Sequence, residues 1–252
     1  MDNCYYINLT RSVERKADME KQLQKNNIKI NRIPAVEGML LKEERYRIAI
    51  CYELGIKEMF LKEDWLLNRS NFKTLSRDIN YILPRFGLYL STIRALQSAY
   101  KDGHTSCIVM EDDAQIINQL NIPVIDQADI IYLGGTFSGD KYLDDPVVKI
   151  IPDKIKVFGT FGYFIQDIKS MLCILKSPFQ LGEKGFDKNA DWRSGKVKLR
   201  CQNIDLFFKN YFQKYGNCYF LNPPSIIHPN DNISTINTKT FDYIKRGLRF
   251  IY

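Results

Sequence analysis

Apolar residues along this chain fall into short blocks with two different spacings, and the order of those blocks predicts an α/β fold. Residues 4–9, CYYINL, are short, β-prone and bounded by polar residues, which predicts a first strand. Ser12 is placed to cap a helix reaching about Asn27, with Met19 and Leu23 four apart on one face. KINRIPAVEG then reads as a second strand ending near Pro34–Gly38. Strand, helix and strand in about 35 residues make a βαβ unit, which implies a parallel pair. Further on, Tyr89, Ile93, Leu96 and Tyr100 recur at helical spacing and predict a helix over 86–100 that Asp102–Gly103 ends. CIVM (107–110), ADIIYLGG (128–135) and KIKVFGTFGYFI (154–165) predict buried strands, and 202–215 predicts a late helix.

Two stretches break this rhythm. Residues 40–84 are charged and helical in flavour, with Trp65 and Leu66 among few anchors, and read as an insertion or lid. Residues 177–200 are rich in Gly, Lys and Asp and predict a long functional loop. NPPSIIHPNDN (222–232) is turn-rich.

Composition adds limits. Apolar and charged fractions are ordinary for a soluble globular protein, and no apolar run approaches the roughly 18 residues of a membrane span. The start, MDNCYYINL, lacks a basic segment followed by a long apolar one, so a secretory signal is not expected. Six cysteines without a C-x-x-C pair argue against a disulfide framework or a zinc site and fit a reducing cytoplasm. The net charge of +7 suits an anionic ligand, membrane or nucleic acid without choosing among them. The final FDYIKRGLRFIY reads either as a packed terminal helix or as a basic, aromatic contact with an anionic membrane.

The candidate chemistry lies where CIVM stops at Glu111, Asp112 and Asp113. Ligands gather at the carboxyl ends of strands in open α/β sheets. On an extended backbone Glu111 and Asp113 point one way and Asp112 the other. A Glu-x-Asp pair on one face can bind Mg²⁺ or Mn²⁺ while the cation bridges phosphate oxygens, and a solvated acidic turn is the competing reading. Arg11 and Arg15, four apart around a helix start after Asn8 and so expected on one face, suit a phosphate, although singly each reads as a solvated side chain. His228 comes after Ile226–Ile227 and is placed either to offer an imidazole to a metal or to serve as a buried structural histidine, whereas His104 reads as a turn residue. Asp205, in the partly apolar CQNIDLFF, is either a structural carboxylate or a general base. The chain has no G-x-S-x-G, Walker A or G-x-G-x-x-G, which weakens serine-hydrolase, P-loop and dinucleotide-fold readings.

Taken in order, these blocks resemble glycosyltransferase family 25, the lipooligosaccharide-biosynthesis and collagen galactosyltransferase family. The resemblance rests on YYINLTRSVER (5–15), RIPAVEG (32–38), GLYLSTIRAL (87–96) and IVMEDD (108–113), then thins to YLGG (132–135), GTFGY (159–163) and IDLF (204–207). Two positions depart from it: the cysteine and histidine of the family's Leu-Ser block are Tyr89 and Thr92 here.

The resemblance implies an A-type glycosyltransferase fold, a mixed and mostly parallel sheet flanked by helices with a Rossmann-like nucleotide-binding half. A single domain over 1–252 is expected, with a nucleotide-sugar half at 1–135 and an acceptor-side half at 136–252. It implies inverting transfer of galactose or glucose from a UDP-sugar to a glycan or glycolipid hydroxyl. Asn8, Arg11, Arg15, Glu37, Gly38 and Glu111 are expected around the nucleotide, and Asp113, Glu111 and His228 around Mn²⁺ or Mg²⁺. Asp205 is the expected base, with Asp187 and Asp191 as alternatives, and Asp112 is expected to point away from Glu111 and Asp113 and to serve either the sugar or the fold. From the cysteine usage a cytoplasmic location is expected, the basic C-terminus leaves peripheral contact with the inner membrane surface open, and no nucleic-acid partner is expected. The competing classes are a catalytically inactive nucleotide-, membrane- or nucleic-acid-binding module on this fold and a metal-dependent phosphotransferase. The latter lacks an early Asp-x-Asp motif, since the first strand ends in Asn8.

Overall fold

Tyr5 and Ile7 face one apolar cluster while Cys4 and Tyr6 face another, the alternation of a strand buried on both sides. The computed structural model describes residues 3–57, 79–138, 145–151, 154–180 and 203–228. Strands β1 (Cys4–Asn8), β2 (Asn31–Pro34) and β3 (Cys107–Glu111) run parallel, and helix α1 (Val13–Lys25) makes the first crossover. Beyond β3 the direction reverses. β9 (Gly162–Ile165) lies antiparallel between β3 and β5 (Ile130–Tyr132). β10 (Cys218–Leu221) pairs parallel with β5 and antiparallel with β7 (Val147–Lys149). Among the described residues this gives a seven-stranded mixed sheet in the order β2-β1-β3-β9-β5-β10-β7.

Two small ladders flank it. β6 (Thr136–Ser138) pairs with β8 (Lys156–Phe158), and β11 (Ile226–Ile227) pairs with β4 (Gln115–Ile116). Helices α2 (Glu44–Leu54), α3 (Ile79–Lys101) and α4 (Ile168–Gln180) are joined by α5 (Ile204–Phe207), which continues through a π turn at Phe208–Phe212 to Tyr215. Tyr89 of α3 packs against Phe86, Phe179 and Phe207, and its hydroxyl donates to the Leu175 carbonyl at 2.8 Å. The tyrosine that departs from the family pattern is therefore a core residue tying α3 to α4 and α5.

Within 40–84 the described residues include α2 and the start of α3, and α3 begins seven residues before the predicted 86. The predicted loop at 177–200 begins instead inside α4, a helix that the sequence pattern does not single out. Trp65, Leu66, Asp187, Asp191, the rest of that loop and the basic C-terminal segment lie outside the described residues. Among the described residues no helix is long and apolar enough to cross a membrane.

One close packing fixes the path of the chain after β2. A Cβ on Gly38 would stand 2.1 Å from the Leu83 carbonyl oxygen, and one on Gly87 would stand 2.7 Å from the Val36 carbonyl oxygen. Between them the Val36 amide donates to Ser91 Oγ at 2.8 Å, and that hydroxyl donates to the Gly87 carbonyl at 2.6 Å. The segment leaving β2 thus rests directly on the backbone of α3, which only glycine permits. Gly87→Ala should lower the unfolding free energy by about 1–3 kcal/mol in urea denaturation, the usual cost of overpacking a rigid contact. An unchanged midpoint would contradict this account of the contact.

Candidate functional site

The carboxyl ends of β1 and β3 lie side by side because Ile7 is in register with Glu111. Asn8 therefore emerges next to the acids. Its Nδ2 donates to Asp112 Oδ2 at 2.7 Å and to the Ser12 carbonyl at 3.1 Å. Arg32 Nε donates to Asn8 Oδ1 at 2.9 Å, and since arginine only donates, this contact fixes which way the amide faces.

Strand β3 ends at Glu111, and Asp112 and Asp113 form a turn. The extended alternation expected from sequence therefore stops at Glu111, and Asp112 does not lie on an opposite face out of reach of Asp113's partner. Arg15 Nη1 bonds both, at 3.1 Å to Asp112 Oδ1 and 3.0 Å to Asp113 Oδ2. Gln22, two turns further along α1, anchors the backbone just past the acids. Its side chain accepts from the Ile116 amide at 2.9 Å and donates to the Ala114 carbonyl at 3.3 Å. Helix α1 starts at Val13, so Arg11 sits in the preceding turn and does not share a helical face with Arg15. It pairs instead with Glu37 at 2.7 Å near the surface.

His228 reaches the same place from the far end of the chain. The segment before it is pinned by Ser225 and Ile226, whose amides both donate to the Leu133 carbonyl. A Cβ on Gly134 would fall 1.9 Å from the Ile226 carbonyl oxygen, and one on Gly162 would fall 2.3 Å from Ile226 Cδ1. These two glycines let Ile226 cross the strand ends, and His228 Nε2 comes to 3.4 Å from Asp113 Oδ2, its ring packed on Phe161. His104 lies at the opposite edge of the sheet, beside Tyr5, where its amide closes the end of α3 on the Ala99 carbonyl.

Glu111 and Asp205 converge on one hydroxyl. Buried Thr160 donates to Glu111 Oε1 at 2.5 Å and also lies beside Asp205. Asn203 caps α5 by accepting from the Asp205 amide, and Asp205 Oδ1 is buried with no hydrogen-bond partner. Arg85, buried on α3, faces Asp205 with its positive charge.

Each acid feels this setting differently. Burial, then the charges of Asp113 and Asp205, push Glu111 well above the ordinary carboxylate range. Burial raises Asp205 too, against Thr160 and Arg85. Asp112 is also raised by burial, although Asn8 and Arg15 oppose it. For Asp113 burial acts in the same upward direction, but His228 and Arg15 outweigh it and hold the group below its ordinary value. The site thus contains one stabilised carboxylate beside neighbours that resist ionisation, a pattern typical of functional clusters.

Whether these residues suit a divalent cation is a question of donors. Among the described residues no three His, Cys, Asp or Glu side chains are arranged to cage a metal. A cation that travels with a diphosphate needs only one or two carboxylates, since phosphate oxygens and water complete its shell. Asp113 fits that need, because its side chain is 9% exposed and its Oδ1 has no hydrogen-bond partner. Glu111 lies close enough for the charge of Asp113 to oppose its ionisation. His228 meets Asp113 directly, so it can share a cation only by giving up that contact.

The structure therefore brings Asn8, Arg15, Glu111, Asp112, Asp113, Asp205 and His228 to one sheet edge, with Arg11 and Glu37 at its margin. Gly38 supplies backbone contact with α3. Three participants are not assigned by the sequence pattern. Thr160 and Arg32 stand inside quoted blocks, but nothing in their neighbours marks them. Arg85 has one legible signal, a lone cation in the apolar run ILPRFGLYL.

The raised Glu111 has a consequence for stability. A carboxyl that holds its proton more tightly when folded contributes stability below the unfolded-state pKa and loses it as pH rises through the folded one. Without divalent cation, Glu111→Gln should therefore raise the melting temperature at neutral pH, with the gain shrinking toward pH 4. A variant that melts lower at pH 7.5 would contradict the strain assigned to Glu111.

A search of the curated proteins returned no match. The sequence model of glycosyltransferase family 25 (LPS biosynthesis protein) matches residues 1–132, a span that ends at the last residue of β5 and includes Asn8, Arg11, Arg15, Glu37 and the three consecutive acids. With more than half of the chain matched and the mixed α/β sheet placing those residues together, the chain belongs to glycosyltransferase family 25, the sugar transferases of lipopolysaccharide biosynthesis.

Proposed function

We propose that this protein is a metal-dependent, inverting hexosyltransferase that moves galactose or glucose from a UDP-sugar to a hydroxyl of a surface glycan such as lipooligosaccharide. The observation that carries this reading is Asp113, nearly buried, with one oxygen held by Arg15 and His228 and the other unpartnered. A carboxylate so placed at a strand end, beside arginines, suits a cation and the diphosphate that accompanies it.

Asp113 and Glu111 are the residues that hold Mn²⁺ or Mg²⁺ in this reading. When bound, the cation neutralises the charge that builds on the departing UDP. Arg11 and Arg15 bind phosphate oxygens, and the N-terminal end of α1 adds its positive end to the same place. Asn8, Glu37 and Gly38 border the nucleotide, and Asp112, held by Asn8 and Arg15, borders the sugar. The acceptor oxygen forms its bond to the anomeric carbon as the bond from that carbon to the diphosphate oxygen breaks. UDP leaves with the bonding pair, on the face opposite the attack.

Asp205 takes the acceptor proton. A base is most effective when its pKa lies near the working pH, and burial moves Asp205 upward from the ordinary carboxylate value. Its unpartnered Oδ1 supplies the acceptor for that proton.

Thermal shift with a panel of nucleotide sugars and Mn²⁺ tests the donor, since a ligand binding only the folded state raises its stability. UDP-galactose or UDP-glucose should stabilise the protein, and EDTA should remove the effect. Asp205→Asn should reduce transfer by at least about a hundredfold, the low end for losing a general base, while leaving UDP affinity within about twofold. No response to any UDP species would overturn the donor assignment, and a fully active Asp205→Asn would overturn the base.

A further inference from the structure

Arg15 does something that a simple phosphate ligand does not. One of its nitrogens, Nη1, holds two carboxylates at once, Asp112 at 3.1 Å and Asp113 at 3.0 Å. Its side chain is 19% exposed and those of its two partners are 10% and 9% exposed, so the three charges are packed together with little water between them. The remaining oxygen of Asp113 is buried without a partner. Consecutive acids on a turn set negative charge against negative charge, and the guanidinium between them offsets that repulsion.

That arrangement conflicts with cation binding as it stands. A divalent cation on Asp113 would lie a few ångströms from a guanidinium bonded to the same carboxylate, and like charges at that distance repel strongly where water is scarce. Either the guanidinium moves or the cation binds poorly. Arginine has a long, jointed stem and five N–H donors suited to phosphate oxygens, and the anion that arrives with the cation is a diphosphate.

We propose that Arg15 is a resident counter-ion, which holds Asp112 and Asp113 in the cation-free protein and passes to the nucleotide diphosphate when a divalent cation takes over Asp113. The proposal rests on the metal-dependent reading above and adds an order to it. Cation and nucleotide bind cooperatively because each removes an obstacle to the other: the cation frees the guanidinium, and the diphosphate stabilises it in its new place.

The exchange predicts effects of opposite sign from one substitution. Isothermal titration of Mn²⁺ into nucleotide-free protein should show Arg15→Gln binding the ion more tightly than wild type, on the order of tenfold, the scale for removing one charge a few ångströms away. With Mn²⁺ saturating, the same variant should bind UDP about tenfold more weakly, one charge-assisted contact having been lost. Arg15→Lys keeps the charge without the planar fork, and should tighten Mn²⁺ by about threefold. Lys16→Gln makes the same change of charge one residue away, where Lys16 pairs with Glu20 at the surface, and should leave both affinities within about twofold.

A residue that only supports the fold would weaken both ligands, and a simple phosphate ligand would weaken UDP alone. If neither Arg15 variant tightens Mn²⁺, the proposal is overturned. If no protein binds Mn²⁺ yet wild type binds UDP, the exchange fails with the nucleotide site intact. Loss of both in wild type removes the underlying reading as well.

Discussion

Four carboxylates at one sheet edge, Glu111, Asp112, Asp113 and Asp205, are the constraint around which this molecule is organised. Like charges in a partly dry site are costly, so each must be neutralised, paired or left protonated. Arg15 and His228 hold Asp113, Asn8 and Arg15 hold Asp112, and Thr160 serves Glu111 beside Asp205. The partners come from β1, α1, the turn before β9 and the segment after β11. The acids therefore link parts of the chain that are far apart in sequence.

Packing supplies the precision those charges require. Glycines at 38 and 87 let the segment after β2 rest on α3, and glycines at 134 and 162 let Ile226 cross the strand ends. Gln22 fixes the backbone just beyond the acids to α1. Tyr89, where the family has a cysteine, fills an aromatic cluster with Phe86, Phe179 and Phe207. Thr92, where the family has a histidine, accepts from the buried Tyr163 hydroxyl at 3.5 Å. Both departures have packing partners, so neither leaves a gap beneath the site.

Much of this is legible in the sequence because it depends on local pattern. The β-prone CYYINL, the Met19–Leu23 spacing and the abrupt stop of CIVM at three acids each report a strand or a helix face directly. The position of His228 beside Asp113 is also within reach, since an apolar pair before it suggests a strand at the active edge. The features that escape a sequence reading depend on long-range geometry. The end of β3 at Glu111 replaces strand alternation by a turn, which puts Asp112 and Asp113 under one arginine. The antiparallel insertion of β9, and with it Thr160, is set by sheet order that no local period encodes. Helix α4 is hidden although its apolar spacing is present, because the glycine- and lysine-rich stretch after it dominates the local pattern.

In the proposed function a divalent cation and UDP meet at this edge of the sheet. Paramagnetic broadening measures that directly, since bound Mn²⁺ erases amide resonances of nearby residues and spares remote ones. With UDP present, a low ratio of Mn²⁺ should broaden the amides of Asn8 and Glu111, at the carboxyl ends of β1 and β3, and of Thr160, in the turn before β9. Those of Asn3 and Ser106, which pair with each other at the opposite ends, should stay sharp. Broadening centred on Asn3 and Ser106, or uniform persistence of all five signals at saturating Mn²⁺, would contradict the account.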